Sequence, residues 1–178
     1  MPTFEVPSYE NFPAEAKPAY DQFVKATGKM PNLYATIGYS GVTLNAYLAF
    51  VQAQVKGSFH AKDREGIYLI VSQINGCEYC LAAHTASAIK NGWTAEQTLL
   101  LRAGKYKEAA WEVIYGVIQS VIEHKGEVSE ELLNRFYQSG YTNKALIDLM
   151  ALINIMSFTN YMYRLTKIPI DFPLAASI

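Results

Sequence analysis

Gly76-Cys77-Glu78-Tyr79-Cys80-Leu81-Ala82-Ala83-His84 holds both cysteines of the 178-residue chain, and Glu65 lies upstream of it. If a helix opens at Cys77 after the Asn75-Gly76 turn, then Cys77, Cys80 and His84 stand at positions i, i+3 and i+7 and face one way. Two cysteines one helical turn apart lie within disulfide reach. The bond would close so small a loop that it adds little stability. A pair that can bond but gains little by bonding suits opening and closing. The helix start adds to this, because unpaired N–H groups and the positive end of the macrodipole favour a thiolate. The stretch reads as a redox dithiol, with His84 placed to handle protons.

Working outward, Ala61 to Ile74 is predicted as the preceding helix, with Asp63 and Glu65 in its early turns. Ile67, Ile70, Val71 and Ile74 form an apolar stripe, with Glu65, Leu69 and Ser72 on a neighbouring line. Folded back as an antiparallel hairpin, Glu65 lies roughly 16 Å from the Gly76 bend on one arm and His84 roughly 12 Å on the other. The order Glu65, His84, Cys80 follows from those heights.

The remaining periodicity predicts helices throughout and no convincing β-hairpin. One spans Ala14 to about Lys25, interrupted by Met30-Pro31-Asn32; another spans Thr43 to Val55 on Leu44, Tyr47, Leu48, Val51 and Val55. The cysteine helix runs to about Lys90. Thr94-Ala95-Glu96-Gln97 is a capping box for a short helix through Leu101. Ala109 to Glu123 follows, then a helix capped by Ser129 with Leu132, Leu133, Phe136 and Tyr137 inward, then a long one from Thr142 through Arg164, stopped by Pro169. The first dozen residues, rich in proline, read as an extended lead-in.

A 51% hydrophobic chain of this length fills one core, so residues 1–178 are expected to be a single all-α domain. A net charge of -1 draws it to neither nucleic acid nor an anionic membrane. The first residues lack a basic start and an apolar stretch, and no run approaches membrane-spanning length, so export is not indicated. Two close cysteines without a wider framework point to catalysis or metal in a reducing cytoplasm.

Glu65, Cys77-x-x-Cys80 and His84 in this register resemble the motif of the alkylhydroperoxidase D-like proteins of the carboxymuconolactone decarboxylase superfamily. The flanks Lys62-Asp63-Arg64-Glu65, Asn75-Gly76-Cys77-Glu78-Tyr79-Cys80 and Ile170-Asp171-Phe172-Pro173 resemble its peroxidase-related branch. The resemblance implies an all-helical fold, commonly assembled as trimers, hexamers or larger rings, and a peroxidase cycle on small alkyl hydroperoxides needing no metal, haem or other cofactor. On that pattern Cys80 is the peroxidatic thiol, Cys77 the resolving one, and Glu65 draws the Cys80 proton through His84. A lipoylated or thioredoxin-like dithiol reductant would reopen the disulfide. One departure stands out: the best-studied type has a histidine where this chain has Tyr79, and a phenol is no base at neutral pH.

The chemistry also stands without the family. A thiolate attacking an O–O bond becomes a sulfenic acid, a neighbouring thiol condenses with it, and a dithiol reductant reopens the product. Other readings stand beside this one. Cys77, Cys80, His84 and Glu65 are zinc-ligand types, though no second Cys/His pair accompanies them. The cysteines could be inert core residues, and Glu65 a solvated partner of Lys62. General thiol-disulfide exchange, lactone decarboxylation and a non-catalytic helical assembly are the rival functions. His60 and His124 read as cap or surface residues. The last helix face of Leu149, Ile153, Ile155, Met156 and Met162 reads as a subunit contact.

Overall fold

The computed structural model describes residues 4–178, and every regular element among them is helical. The predicted lead-in over residues 1–3 lies outside the described residues. After short 3₁₀ turns at Tyr9–Asn11 and Ala14–Ala16 come α1 (Lys17–Thr27), α2 (Asn32–Ile37) and α3 (Gly41–Ala53). Then follow α4 (Ala61–Ile74), α5 (Glu78–Lys90), α6 (Ala95–Arg102), α7 (Ala109–Glu123), α8 (Glu130–Gln138) and α9 (Asn143–Thr166).

Helix α4 is the hub. Gly66 through Ser72 are all buried, because α5, α6, α7 and α9 surround it. Seven consecutive buried residues exceed the stripe of a one-sided amphipathic helix. Gly66 belongs to this crowding: a Cβ there would sit 2.6 Å from the Trp111 ring. The hub joins α9 by a buried polar ladder, in which Asn160 Nδ2 donates to Ser72 Oγ at 3.2 Å and Asn75 Nδ2 donates to Asn160 Oδ1 at 3.0 Å.

Several boundaries differ from the sequence reading for identifiable reasons. The break predicted at Met30-Pro31-Asn32 is present between α1 and α2, but the sequence reading did not anticipate α2, for which the extended Pro31 stands as N-cap. Helix α3 begins earlier than Thr43, capped by Ser40 Oγ on the Thr43 N–H at 3.3 Å, and ends at Ala53. Val55 falls in the following 3₁₀ turn and is exposed. On α8 only Phe136 is buried, and Tyr137 faces solvent.

The long helix corrects two expectations. Among the described residues the 24-residue α9 is long and apolar enough to cross a membrane, although 44% of its most apolar 18-residue stretch is buried within the fold. Leu149, Ile153, Ile155 and Met156, read as a subunit face, are instead buried against the protein's own helices, while Ile147 and Leu165 point outward. Thr159, Asn160 and Tyr163 carry the buried face onward to the α4–α5 hairpin.

Candidate active site

The hairpin bend is set by Gly76, whose φ of 64° is the left-handed conformation that side chains resist. Asn75 is held there by Arg164, which donates to its carbonyl. The Cys77 N–H then bonds the Ser72 carbonyl at 2.9 Å. Cys77 is not the first helical residue, as the i, i+3, i+7 reading had it. It is the extended N-cap of α5, and its Sγ accepts the Cys80 N–H at 3.2 Å. A sulfur lone pair can take the place of a hydroxyl oxygen here, since the first-turn donors have no other partner. The two cysteines form a disulfide with Cα atoms 5.4 Å apart. Both are buried, Cys77 fully and Cys80 to within 2%.

Glu65 and His84 meet across the hairpin, as the helix heights predicted. His84 Nδ1 lies 2.8 Å from Glu65 Oε2. A carboxylate only accepts, so Nδ1 is the donor, and in the neutral imidazole that tautomer leaves Nε2 as the free lone pair. Tyr68 packs its ring on the imidazole at 5.0 Å between centroids. The alternative in which Glu65 answers Lys62 does not hold: the Lys62 ammonium lies over the Trp93 ring at 4.4 Å. Among the described residues no three His, Cys, Asp or Glu side chains gather as a metal-holding group, so the four weighed as zinc ligands do not form one. His60 caps α4 through its N–H on Asp63 Oδ2 at 3.2 Å, and His124 ends α7.

Cys80 and His84 share a cavity of about 160 Å³, whose walls include Leu33, Tyr34, Tyr47 and Phe172. Cys77 lies outside the lining. Burial pushes the Tyr47 phenol well above its ordinary pKa and raises Tyr34 likewise, with the Glu65 charge adding to the latter. The walls therefore present neutral hydroxyls and aromatic edges. Sequence periodicity gave these residues no distinguishing mark, because they reach the cavity from α2, α3 and the segment after α9.

Tyr79, between the cysteines, is turned away from base chemistry. Its hydroxyl donates to Asp171 Oδ1 at 2.6 Å and accepts the Leu33 N–H at 3.1 Å. Burial and the Asp171 carboxylate both raise its pKa. Asp171 Oδ2 receives Lys29 Nζ at 2.9 Å. Ile170-Asp171-Phe172-Pro173 was noted in the sequence only for its likeness to the peroxidase-related flanks; its reach across 92 residues to Tyr79 had no local signal.

Residues 42–113, from α3 to the start of α7, match the carboxymuconolactone decarboxylase family. The uncharacterized protein YdfG of Bacillus subtilis is 30% identical over 112 residues, which are 59% of this chain and 74% of YdfG. The alkylhydroperoxidase AhpD core of a peroxidase-related protein from Ralstonia eutropha JMP134 superposes with a TM-score of 0.84 at 19% identity, over 94% of this chain and 91% of that one. The debrominase Bmp8 superposes with a TM-score of 0.75 at 16% identity, over 89% and 87%. With the motif, the hairpin and the helix order in register, the chain belongs to the carboxymuconolactone decarboxylase superfamily and has the alkylhydroperoxidase D-like fold.

Proposed function

We propose that the protein is a thiol-dependent peroxidase for small hydroperoxides, with Cys80 as the attacking thiol, Cys77 as the resolving thiol, and His84 with Glu65 as the proton relay. The observation that carries this reading is the grouping of a disulfide-capable pair, one member bordering a small cavity, with an imidazole in the same cavity tied to a carboxylate at 2.8 Å.

In the reduced protein the Cys80 proton passes to His84 Nε2, and Glu65 stabilises the imidazolium from the other side. The Cys80 thiolate attacks the terminal oxygen of R–O–OH. The S–O bond forms, the O–O bond breaks, and the departing alkoxide takes the proton from His84 and leaves as the alcohol. The Cys77 sulfur then attacks the Cys80 sulfenic acid, giving the disulfide and water. A dithiol reductant, lipoylated or thioredoxin-like, reopens it by exchange and leaves as its own disulfide. The Cys77 Sγ as N-cap supports the resolving role, since the same geometry that caps the helix keeps it beside Cys80. Assembly into trimers or hexamers and a cytoplasmic location belong to the same proposal; exposed Val42, Phe50, Ile147 and Leu165 support a self-contact, which light scattering tests.

The test is stoichiometric. Reduced protein should consume one equivalent of tert-butyl hydroperoxide per disulfide formed, and Cys80→Ser should consume none. Fast reduction of a disulfide substrate with no loss of peroxide rejects the reading in favour of general exchange. Full lactone decarboxylation by Cys77→Ser and Cys80→Ser variants rejects it in favour of the superfamily's other chemistry. The likeness to a debrominase, together with the aromatic walls, supports one second reading: the dithiol gives two electrons to a halogenated aromatic, which takes up a proton and releases halide. Bromide release by the reduced protein distinguishes it.

A further inference from the structure

After α9 the chain turns through Lys167, a left-handed non-glycine residue with φ of 51°, and runs to its end without helix or strand. Side-chain anchors fix this strap from outside. Asn32 Nδ2 donates to the Pro169 carbonyl at 3.1 Å, and the buried Arg102 donates to the Ala176 carbonyl at 2.7 Å. Between those points both Asp171 oxygens are engaged, Oδ1 by Tyr79 and Oδ2 by Lys29. The next residue is Phe172. Its ring stands edge-on to Tyr79, centroids 5.6 Å apart at 88°, under the Lys29 ammonium at 4.6 Å, and forms part of the cavity wall that faces Cys80.

The wall position is thus set by polar contacts that substrate does not make. The cavity it closes, about 160 Å³, is comparable to the roughly 150 Å³ that accommodates a benzene-sized guest. A molecule the size of tert-butyl hydroperoxide fills that space. Cumene hydroperoxide carries a phenyl ring in place of one of its methyls, and Phe172 is among the side chains lining the space that ring would need.

We propose that Phe172, held in place by Asp171 through Tyr79 and Lys29, is the specificity-determining residue that restricts Cys80 to compact hydroperoxides and excludes arylalkyl ones. The substrate class rests on the peroxidase reading; the steric wall does not.

Two readouts separate these. In a Cys77→Ser background, the rate of reduced Cys80 with N-phenylmaleimide is divided by its rate with iodoacetamide, a ratio that needs no peroxide. Phe172→Ala raises this ratio about tenfold, the scale of a lost pocket wall. Asp171→Ala raises it in the same direction by releasing the strap, and Phe172→Trp lowers it. In the otherwise native protein, kcat/KM for tert-butyl over cumene hydroperoxide exceeds ten and falls toward one in Phe172→Ala. Thermal melts identify any variant that has lost its fold, and Phe172→Trp, which fills rather than empties the site, keeps the test decisive. Alkylation ratios that stay unchanged in folded Phe172→Ala and Phe172→Trp overturn the proposal. A shifted alkylation ratio in a protein that consumes no peroxide upholds the wall and rejects the peroxidase reading.

Discussion

Replacing Tyr79 by Phe removes a single oxygen from the turn between the two cysteines and leaves the ring, which is 3% exposed, in its packing. Two bonds are lost with it. The Leu33 N–H, buried in the first turn of α2, keeps no acceptor, and a stranded buried donor costs about 1–3 kcal/mol. Asp171 loses a 2.6 Å bond, of the charge-assisted kind worth about 1.5–3 kcal/mol, but retains Lys29. Partial rehydration of Asp171 offsets some of this, so the net loss is about 2–4 kcal/mol. For a domain of this size, at about 2–4 °C per kcal/mol, the melting temperature falls by roughly 5–15 °C. Calorimetry on the wild type, Tyr79→Phe, Asp171→Ala and the double variant reads both the loss and the coupling, which should exceed about 1 kcal/mol for groups in direct contact. A Tyr79→Phe melting temperature within 1 °C of the wild type would show that the phenol anchors neither α2 nor the strap, and additive single losses would show that it does not hold Asp171.

Glu65→Gln keeps the shape of the carboxylate but withdraws the negative charge at the end of the relay; Cys80 alkylation in reduced Cys77→Ser protein at neutral pH should slow about 100-fold, and an unchanged rate removes Glu65 from the relay. Gly66→Ala drives a Cβ to 2.6 Å from Trp111 and should cost about 1–3 kcal/mol by overpacking, measured by urea unfolding. The phenols of Tyr34, Tyr47, Tyr68 and Tyr79 all have pKa values raised by loss of hydration, so the folded state holds protons that the unfolded chain releases above its ordinary value of 10.0. Their contribution to stability is constant below that pH and declines above it. The four-fold Phe variant should therefore lose less melting temperature between pH 9 and 11 than the wild type does, relative to each at pH 8; equal losses count against the burial argument.

The α4–α5 hairpin was legible because everything needed to build it is local. Apolar residues recur at helical spacing from Ile67, Asn75-Gly76 supplies the one residue that tolerates a positive φ, and the rise per residue brings Glu65 level with His84. Capping by Thr94, Ser129 and Thr142 was legible for the same reason, and each side chain accepts the N–H three residues on. The missing parts depend on partners distant in sequence. Met30-Pro31-Asn32 marks the break after α1, but that a new helix starts at Asn32 depends on the packing of Leu33, Ala35 and Ile37. The outward and inward faces of α9 were misassigned because the helix is apolar nearly all round, so periodicity does not choose which side meets α4. Cys77 as N-cap differs by one position from Cys77 as the first helical residue, a shift that spacing alone cannot resolve. The cavity walls Tyr34, Tyr47 and Phe172 converge only after α2, α3 and the strap have folded onto the hairpin.

The proposed cycle turns on which sulfur meets the oxidant first. Reduced Cys77→Ser and Cys80→Ser proteins, each treated with one equivalent of tert-butyl hydroperoxide and a dimedone-type trap, can be compared by intact mass and peptide mapping. The sulfenic-acid adduct is expected on Cys80 in the Cys77→Ser protein, the thiol that borders the cavity with His84. An adduct formed on Cys77 in Cys80→Ser, with Cys80 left unmodified in the other variant, would contradict it.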